Sequence, residues 1–443
     1  MPRRILSCFH SLNFSGTNFP IPVRTAEGLS YRGMVELADF AEGCKTLAAR
    51  LGRALSRARS ALCFSAAALA LAACAGTVET TSAPPPQLAN QLPPAASIGT
   101  GEIRVGLILP LSAQGNAGVA AQSMKNAAEL ALAEFKQPNI QLLVKDDGGT
   151  PQGAQAAAQQ AIAEGAEIII GPLFAQSVSA VGQVARQRGI PVIAFSTDAT
   201  VAARGVYLLS FLPESDVKRI VEYAVSNGKR SFAALLPDNA YGNVVEAAFQ
   251  QEVARHGGRV LALEKYPQDP ARMAEPVRRI AQAAGQVDAI FIPDGADAVP
   301  QVAQSLAAAG VNVKRVQLLG TGLWDESRIM ASAPLQGGWF AAPDAVGYRS
   351  FTQRYRARYG QDPVRTATLS YDAVALVAAL VKTQGTQRFT EQVLTTSSGF
   401  SGIDGVFRFR SDGLNERGLA VLRVAPGGGQ IISPAPKSFQ PGT

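Results

Sequence analysis

The stretch Ile103–Lys125 reads IRVGLILPLSAQGNAGVAAQSMK and predicts the architecture of most of the chain. It begins with an apolar run, continues through a Gly- and Ser-rich loop from Pro110 to Gly118, and enters a helix near Val119. This loop follows the carboxyl end of a strand, which is where an open parallel sheet binds its ligands. Amides at the helix start can hold an anion such as a carboxylate. A plain strand-to-helix turn is the alternative interpretation.

The same alternation of strand and helix continues along the chain in units of about 30 residues, as expected of βαβ units. Fully apolar runs such as Ile168–Ile170 predict parallel sheets covered by helices on both faces. About 340 residues exceed one usual core, so we expect two lobes. The chain crosses between them near Leu212–Ser215 and again near Gly337–Ala341. The strands Asp404–Arg410 and Leu419–Val424 are predicted to pair around a turn.

A secretory leader is predicted upstream, where basic residues precede a short apolar segment, Ala61–Ala73. That segment is too short to span a bilayer as a permanent helix. Leu71-Ala72-Ala73-Cys74 is typical of a bacterial lipobox, which predicts lipidation of Cys74. An ordinary secretory signal without a role for Cys74 is the alternative, and both interpretations predict export. Because a signal peptide normally begins close to the start, Met34 is a candidate for the true first residue.

The predicted organisation follows from these segments. Residues 1–73 form the leader, residues 74–101 hold the lipidated cysteine and a Pro- and Ala-rich tether, residues 102–425 form the binding domain, and residues 426–443 form a tail. Within the domain, lobe 1 comprises about 102–211 and 338–385, and lobe 2 comprises about 214–336 plus the C-terminal strands.

Charge gives no indication of a nucleic-acid partner. The formal net charge is +7, from 41 basic and 34 acidic residues. The leader contributes nine of the basic and four of the acidic residues, which leaves 32 and 30 in the mature chain, a net charge of +2. The basic character therefore belongs mostly to the leader, and a nearly neutral domain has no electrostatic footprint for nucleic acid.

The residue inventory argues against an enzyme. All four cysteines, Cys8, Cys44, Cys63 and Cys74, lie at or before the predicted lipidation site. The mature domain thus has no disulfide, no thiol nucleophile and no His/Cys metal cluster. Its one histidine, His256, lies in a Gly-flanked turn that suits a catalytic triad poorly. Phosphate-loop, nucleophile-elbow and dinucleotide motifs are absent, so we predict no catalytic residues, metal or cofactor.

Six short motifs resemble, in the right order, the leucine/isoleucine/valine-binding family of type I periplasmic binding proteins. They are Ile103–Ser112, Asp146-Asp147 with Gly153-Ala154, Ile170-Gly171-Pro172, Gly189–Ile193, Asp238–Gly242, and Tyr371-Asp372-Ala373. The resemblance covers about residues 102 to 425. It implies an α/β fold of two doubly wound parallel-sheet lobes, three crossing segments, a ligand in the cleft between the lobes, and no catalysis.

Candidate site residues come from the chemistry that a ligand requires and from the family resemblance. The carboxylate of an amino-acid ligand needs donors, which helix-start amides and the hydroxyls at strand ends can supply. The resemblance adds a position near Ala175, the pair Ser196 and Asp198, and Tyr241, an aromatic residue that covers the ligand on closure. A helix cap is the alternative role for each serine. The predicted ligand-binding residues are Ser112, Ala175, Ser177, Ser196, Thr197, Asp198, Tyr241, Asp294 and Trp324.

Two neighbouring motifs are assigned to structure rather than to ligand. Asp146 and Asp147 are expected to hold the turn after their strand. Tyr371 and Asp372 are expected to pack inside a helix.

The sequence departs from the family pattern at the end of the strand Gln317–Gly320. Amino-acid binders of the family place an acidic residue just after this strand, to accept the ligand ammonium. The aligned position falls near Gly322 or Leu323, so the acid is missing unless Asp325 reaches in or Asp198 substitutes. Losing such a charged hydrogen bond, worth about 1.5–3 kcal/mol, weakens binding roughly ten- to hundredfold. Trp324 is a candidate for stacking on a ring or a sugar, with packing as its alternative.

Two functions remain after this reasoning. The first is a periplasmic, membrane-anchored lipoprotein that binds an amino-acid-like solute and delivers it to an ABC permease. The second is a lipoprotein that activates a penicillin-binding protein with the same fold, which the anchor, the tether and the missing acid would suit. In both cases the lipid on Cys74 contacts the membrane.

Overall fold

The computed structural model describes residues 97–267 and 269–439. The predicted leader, Met34, Cys74 and most of the tether lie outside the described residues, so the statements about them stay predictions. The end of the predicted tether does carry structure, because Ser97–Ile98 pairs with the strand that contains Leu142 and Leu143.

The first lobe is built on six strands. They are β1 (Ser97–Ile98), β2 (Ile103–Leu109), β3 (Ile140–Asp146), β4 (Ile168–Ile170), β5 (Val192–Ala194) and β6 (Val206–Leu208). Their order is β1-β3-β2-β4-β5-β6, with all neighbours parallel except β1. Central strands such as β4 are wholly apolar because helices cover both faces of the sheet.

Three helices connect these strands: α1 (Asn116–Glu134), α2 (Pro151–Ala163) and α3 (Ala175–Gln187). The start of α2 illustrates the local rules, since Pro151 occupies the first turn and the Thr150 hydroxyl accepts a hydrogen bond from the Gly153 amide at 3.1 Å. The alternating pattern predicted for this part of the chain is confirmed.

The second lobe repeats the arrangement. Its strands β7 (Ser231–Pro237), β8 (Arg259–Tyr266), β9 (Ala289–Phe291), β10 (Gln317–Gly320) and β11 (Trp339–Ala342) are parallel to their neighbours among these five. Its helices are α4 (Pro213–Ser226), α5 (Ala240–Arg255), α6 (Pro270–Ala283), α7 (Val299–Ala308) and α8 (Ser327–Met330). Helix α8 is only a single turn.

The chain then returns to the first lobe with α9 (Ala345–Tyr359), α10 (Ala367–Thr383) and α11 (Glu391–Leu394). Helix α10 packs against α1, and its apolar side chains join the core of the first sheet. Helix α9 ends at Gly360, whose φ of 72° is the left-handed conformation that glycine adopts at helix ends.

The predicted pairing of the C-terminal strands is wrong. Strands β12 (Phe400–Gly402), β13 (Gly405–Phe409) and β14 (Asn415–Arg417) form a separate antiparallel sheet. The next two strands, β15 (Ala420–Ala425) and β16 (Gly428–Ser433), extend the second sheet instead, which has the order β16-β15-β11-β10-β9-β7-β8. The apolar residues of β13 and of β15 each complete a different core, and this separates them.

Two predicted boundaries also move. Strand β11 pairs with β10 and β15 and thus belongs to the second lobe, not to the first as the range 338–385 supposed. The predicted tail from residue 426 contains β16, which pairs with β15. The chain crosses three times, as the resemblance implied, at residues 209–212, 343–344 and 418–419. The predicted positions of the first two crossings are wrong, because most of Leu212–Ser215 lies in α4 and most of Gly337–Ala341 lies in β11.

Candidate ligand-binding cleft

The carboxyl ends of the parallel strands carry the polar residues of both lobes. In doubly wound sheets this edge is where ligands bind. The structure places most of the predicted site residues there, at strand ends or in the first turns of the following helices. However, several of the predicted side chains are buried and cannot contact a ligand.

Ser112 and Asp146 close the first of these loops. Ser112 is exposed, and its amide donates to Asp146 Oδ1 at 3.2 Å, which also accepts from the Gly148 amide at 2.9 Å. Burial by itself would raise the pKa of Asp146, but hydrogen bonds from Ser112 and Gly148 outweigh it and lower the pKa. The structural role predicted for Asp146 is thereby confirmed.

Asp147 and Ser177 lie beneath the surface of the first lobe. Asp147 is 1% exposed and accepts from the Gly149 amide at 2.8 Å, which confirms its predicted turn role. Burial raises its pKa, and the nearby Ser177 hydroxyl opposes this rise without making a well-formed hydrogen bond. Ser177 is fully buried, so the prediction that it contacts ligand is wrong in this conformation: its side chain points into the lobe.

The turn after β5 is stabilised by hydrogen bonds between its own residues. The Ser196 hydroxyl accepts from the Asp198 amide at 3.1 Å, and Asp198 Oδ1 accepts from the Thr200 amide at 2.9 Å. Ser196 is buried while Thr197 and Asp198 are exposed. Ser196 thus holds the turn itself, Asp198 caps the short 3₁₀ helix Ala199–Val201, and Thr197 has the freer hydroxyl.

Ala175 occupies the first position of α3, directly after Phe174. No side chain caps this helix start, and Phe174 is exposed. The first-turn amides of a 13-residue helix are therefore available to an anion at the edge of the cleft.

Two tyrosines form the wall of the second lobe. The Tyr241 hydroxyl lies 3.1 Å from Thr321 Oγ1, and the Tyr266 hydroxyl donates to Asp294 Oδ2 at 2.7 Å. Burial raises the pKa of both tyrosines, so both hydroxyls stay protonated. Tyr241 and Asp294 were predicted here, whereas Tyr266 and Thr321 were missed although each ends or follows a strand.

Asp216 supplies a carboxylate at the end of β10. It lies in the first turn of α4, and its Oδ2 accepts from the Gly322 amide at 2.9 Å. Burial raises the pKa of Asp216 to about 7, against the Gly322 hydrogen bond and the charge of Arg417. The sequence analysis missed this residue, because nothing in the sequence around Asp216 links the start of α4 to the end of β10.

Glu214 precedes Asp216 at the first crossing. Burial raises its pKa, and the charge of Asp198 from the first lobe adds to the rise. Its Oε2 is buried and has no hydrogen-bond partner among the described residues. Carboxylates from both lobes thus approach one another at this crossing.

Trp324 is not a stacking surface. Its side chain is fully buried in the second lobe, the indole N–H donates to the Ile292 carbonyl at 3.0 Å, and the ring packs near Phe340. The prediction that it contacts ligand is wrong, because the side chain completes the core. Asp325 is exposed, and the charges of Arg365 and Arg349 in the first lobe act on it.

Aromatic rings and guanidinium groups alternate at the crossings. Phe211, in the first crossing, has Arg365 at 4.6 Å from its ring centre and Arg417 at 4.8 Å. Tyr348 stacks on Arg365 at 4.5 Å, and Phe407 lies 5.6 Å from Arg417. This stack, which we call the hinge stack, connects residues near all three crossings.

Among the described residues, no group of three or more His, Cys, Asp or Glu side chains is arranged so that it could hold a metal ion. Over the same residues, no helix has the length and apolar content needed to cross a bilayer.

The family model described as "Periplasmic binding protein" matches residues 102–430. The chain belongs to the periplasmic binding protein family. The resemblance and fold class predicted from the motifs are confirmed.

Solved structures of other periplasmic binding proteins share this fold. A branched-chain amino acid ABC transporter periplasmic ligand-binding protein from Burkholderia xenovorans is 18% identical, with a TM-score of 0.60, over 77% of this chain and 96% of that one. A solute-binding protein of an ABC transporter from Rhodopseudomonas palustris, in complex with 3,4-dihydroxybenzoic acid, is 20% identical with a TM-score of 0.55, over 77% and 99%.

Curated relatives match over shorter segments. An uncharacterized protein of Rickettsia prowazekii is 24% identical over 180 residues, which are 41% of this chain and 47% of that protein. The penicillin-binding protein activator LpoA of Vibrio cholerae is 28% identical over 103 residues, 23% of this chain and 17% of the activator. The chain thus spans about half the length of the first relative and less than a fifth of the second.

Proposed function

We propose that this periplasmic binding protein is the extracytoplasmic solute receptor of an ABC transporter. Its ligand is an amino acid or a related small carboxylate-bearing molecule, held in the cleft between the lobes. The observation that carries the proposal is that polar groups collect at the strand ends of both lobes: the uncapped start of α3 in the first lobe, and Tyr241 and Asp216 in the second.

The two sides of the cleft have complementary chemistry. The first-turn amides of α3 and the Thr197 hydroxyl donate hydrogen bonds, which suits a carboxylate. The second lobe offers hydroxyls and carboxylate oxygens. A ligand that contacts both sides binds the closed arrangement of the lobes better than the open one, and so shifts the equilibrium toward closure. The closed form then docks on the permease.

Export and anchoring complete the proposal. Cleavage before Cys74 and lipidation of its thiol would tether the domain to a membrane facing the periplasm. Metabolic labelling with a radioactive fatty acid tests this: the wild-type chain should carry label and the Cys74→Ser variant should not. Label that persists in the variant would reject the lipobox interpretation.

Catalysis is not part of the proposed function. His256 follows the end of α5, at the opposite end of that helix from Tyr241, and approaches Glu252 at 3.7 Å. The groups at the cleft are hydroxyls, amides and carboxylates, whose arrangement supports binding.

A thermal-shift screen tests the receptor function. Amino acids, aromatic carboxylates and peptidoglycan fragments are added separately to the purified protein. A ligand at about 100 times its dissociation constant should raise the free energy of unfolding by about 2.7 kcal/mol. The Tyr241→Ala variant should lose the shift, and the control variant Phe439→Ala should keep it. If no compound of the panel shifts the protein, the receptor function is wrong.

Activation of a penicillin-binding protein is the second candidate function, and the 103-residue match to the Vibrio cholerae activator favours it. In that case a surface of the domain would contact a synthase, and the cleft would need no solute. Co-purification with penicillin-binding proteins, together with no response to amino acids, would favour this candidate. Permease and ATPase genes beside the gene for this chain would favour the first.

A further inference from the structure

The outer edge of strand β3 is only partly covered. Its inner edge pairs with β2 along all seven residues, from Ile140 to Asp146. Its outer edge pairs with β1 at two residues, Leu142 and Leu143. From Val144 onward, this outer edge has no strand partner among the described residues. An open strand edge of this kind is a template for further extended chain.

Two hydrogen bonds show which backbone groups of β3 point outward. The N–H and C=O groups of successive strand residues point alternately to the two neighbouring strands. The Asp147 amide donates to the Leu109 carbonyl of β2 at 3.1 Å, and the Gly101 amide donates to the Ile140 carbonyl from the side of β1 at 3.2 Å. Odd-numbered residues of β3 therefore point toward β2 and even-numbered residues toward β1. The N–H and C=O of Val144 thus belong to the open edge.

The connection from β1 to β2 fixes β1 on the first lobe. Gly101 lies against the start of β3, where a Cβ would overlap the backbone of Asn139 and Ile140, so glycine is required for this approach. The Glu102 amide donates to Asn139 Oδ1 at 3.1 Å, and the Ile98 side chain packs against the core of the first lobe. The position of β1 therefore determines where the chain before it runs.

The direction of β1 leads the preceding chain toward the cleft. Strand β1 is antiparallel to β3, with Ser97 opposite Leu143. Each residue before Ser97 therefore advances one residue toward the carboxyl end of β3 at Asp146. At that end, Asp146 accepts a hydrogen bond from the Ser112 amide at 3.2 Å, beside the edge of the cleft.

The residues that precede β1 in the sequence suit this path. Continued in the same register, the pairing places Ala96 opposite Val144 and Pro94 opposite Asp146. Ala96 has an amide to donate to the Val144 carbonyl. Pro94 has none, so the ladder cannot continue fully past it. The adjacent prolines Pro93 and Pro94 favour an extended chain that leaves the sheet.

We propose that the tether extends β1 by the pair Ala96–Val144 and leaves the first lobe at the cleft edge, beside Asp146. The open edge of β3 is thus occupied by the protein's own tether. One consequence rests on the proposed lipidation: the anchor on Cys74 is then attached at the edge of the cleft, not at the opposite end of the lobe. About 20 residues separate Cys74 from Pro94, so the cleft edge stays within roughly 70 Å of the lipid.

Hydrogen exchange at single-residue resolution tests the added pair in the exported protein, purified in detergent. The Val144 amide should exchange within about tenfold of the Leu142 amide, which is in the strand pair with Ile98. The Ala96→Pro variant loses the N–H that the Val144 carbonyl accepts, so the Val144 amide should exchange about three- to tenfold faster. The matched control is Ala95→Pro, because the amide at 95 points away from β3. Its rate should stay within about twofold of the wild type.

Two results would overturn the added pair. One is exchange of the wild-type Val144 amide at the rate of an unprotected amide. The other is an equal rate in Ala96→Pro and Ala95→Pro. Melting curves establish that both variants are folded. If Ala96→Pro does not fold, the ratio of the Val144 and Leu142 rates in the wild type still decides.

Spin labels test the path of the tether. One label is placed on the tether by Gln91→Cys. The second is placed either by Gln114→Cys, in the exposed loop at the cleft edge, or by Lys136→Cys, at the exposed opposite end of the lobe. A mass spectrum establishes that two labels are attached. At about 3.3 Å per residue β3 is roughly 20 Å long, so the distance to position 114 should be about 15–20 Å shorter than the distance to position 136. Equal distances, or the reverse order, would overturn the exit at the cleft edge.

These experiments are independent of the receptor function, because neither uses a ligand. Their failure would reject the tether path and leave the receptor function standing. Failure of the thermal-shift screen would reject the receptor function and leave the tether path standing. Absence of label on the wild-type chain in the fatty-acid experiment would overturn the consequence for the anchor alone.

Discussion

Individual side chains in this protein owe their roles to burial. Trp324 and Leu323 are adjacent in sequence, yet the indole is fully buried and the leucine is 47% exposed. Asp216 and Asp372 are carboxylates whose pKa burial raises to about 7, whereas hydrogen bonds lower the pKa of Asp146. The surroundings of each residue, rather than its type, therefore set its chemistry.

Replacing Trp324 by alanine should destabilise the domain strongly. The variant loses a large buried side chain and its hydrogen bond to the Ile292 carbonyl, so we expect the free energy of unfolding to fall by about 3–5 kcal/mol. Urea denaturation measures this loss. The neighbouring control Leu323→Ala should change the value by less than about 0.5 kcal/mol. Equal effects of the two substitutions would contradict the structural role of Trp324.

The Asp372→Asn variant should change how stability depends on pH. Burial raises the pKa of Asp372 to about 7, against a 2.8 Å hydrogen bond from the Ile403 amide, and the charge of Asp404 adds to the rise. The native carboxyl therefore holds its proton to a higher pH than the unfolded one, whose usual pKa is 3.8. The stability that this protonation provides is lost as pH rises from about 4 to about 7.

Asparagine cannot titrate, so the melting temperature of this variant should fall less than that of the wild type between about pH 5 and pH 8. Burial also raises the pKa of Asp216, so part of the pH dependence of stability remains in this variant. Asp297→Asn, an exposed carboxylate, serves as control and should follow the wild type. Parallel curves for Asp372→Asn and the wild type would show that this carboxyl is not the titrating group.

At the scale of elements, side-chain hydrogen bonds and ring contacts stabilise the crossing segments in addition to the covalent chain. The Ser210 carbonyl in the first crossing accepts from Asn415 Nδ2 and from Arg417 Nε, both at 2.9 Å. Arg365 forms a two-point ion pair with Asp404 while it stacks on Phe211. Strand β14 and the hinge stack therefore tie the first crossing to the third, which limits how the lobes can move.

Substituting Phe211 by leucine should loosen this connection. The variant loses two cation–π contacts, worth about 0.5–2 kcal/mol each, while it keeps apolar volume. We expect a lower free energy of unfolding by about 1–3 kcal/mol and faster hydrogen exchange over residues 209–213 and 415–419. The control is Phe439→Leu, whose ring stacks on Arg408 outside the crossings. Unchanged exchange in Phe211→Leu would mean that backbone hydrogen bonds alone hold the crossings.

Each lobe contains one large sheet, and the crossings connect the two lobes. Both lobes have their own apolar cores, so each can move as a rigid unit when the crossings bend. The uncapped start of α3 in one lobe and Asp216 in the other belong to different units. A ligand that contacts both therefore stabilises one relative position of the lobes.

Ligand binding should make the protein more compact. Small-angle X-ray scattering of the purified chain, with and without the compound identified by the thermal-shift screen, should give a smaller radius of gyration in its presence. The Asp216→Asn variant at the same ligand concentration should stay at the ligand-free value. An unchanged radius for the wild type under saturating ligand would contradict closure of the cleft.

The sequence by itself determined the alternation of strands and helices, the two lobes and the family, because apolar periodicity, turn residues and short motifs act over a few residues each. The resemblance also predicted Tyr241 as a cleft residue, and Asp294 was predicted from the sequence as well; both lie within four residues of a strand end. Only the tertiary structure decided that β13 and β15 belong to different sheets. It also decided that Ser177 and Trp324 are buried. It also brought Asp216 from α4 to the end of β10, across 106 residues of chain. Contacts between distant segments depend on how whole elements pack, and no local pattern records them.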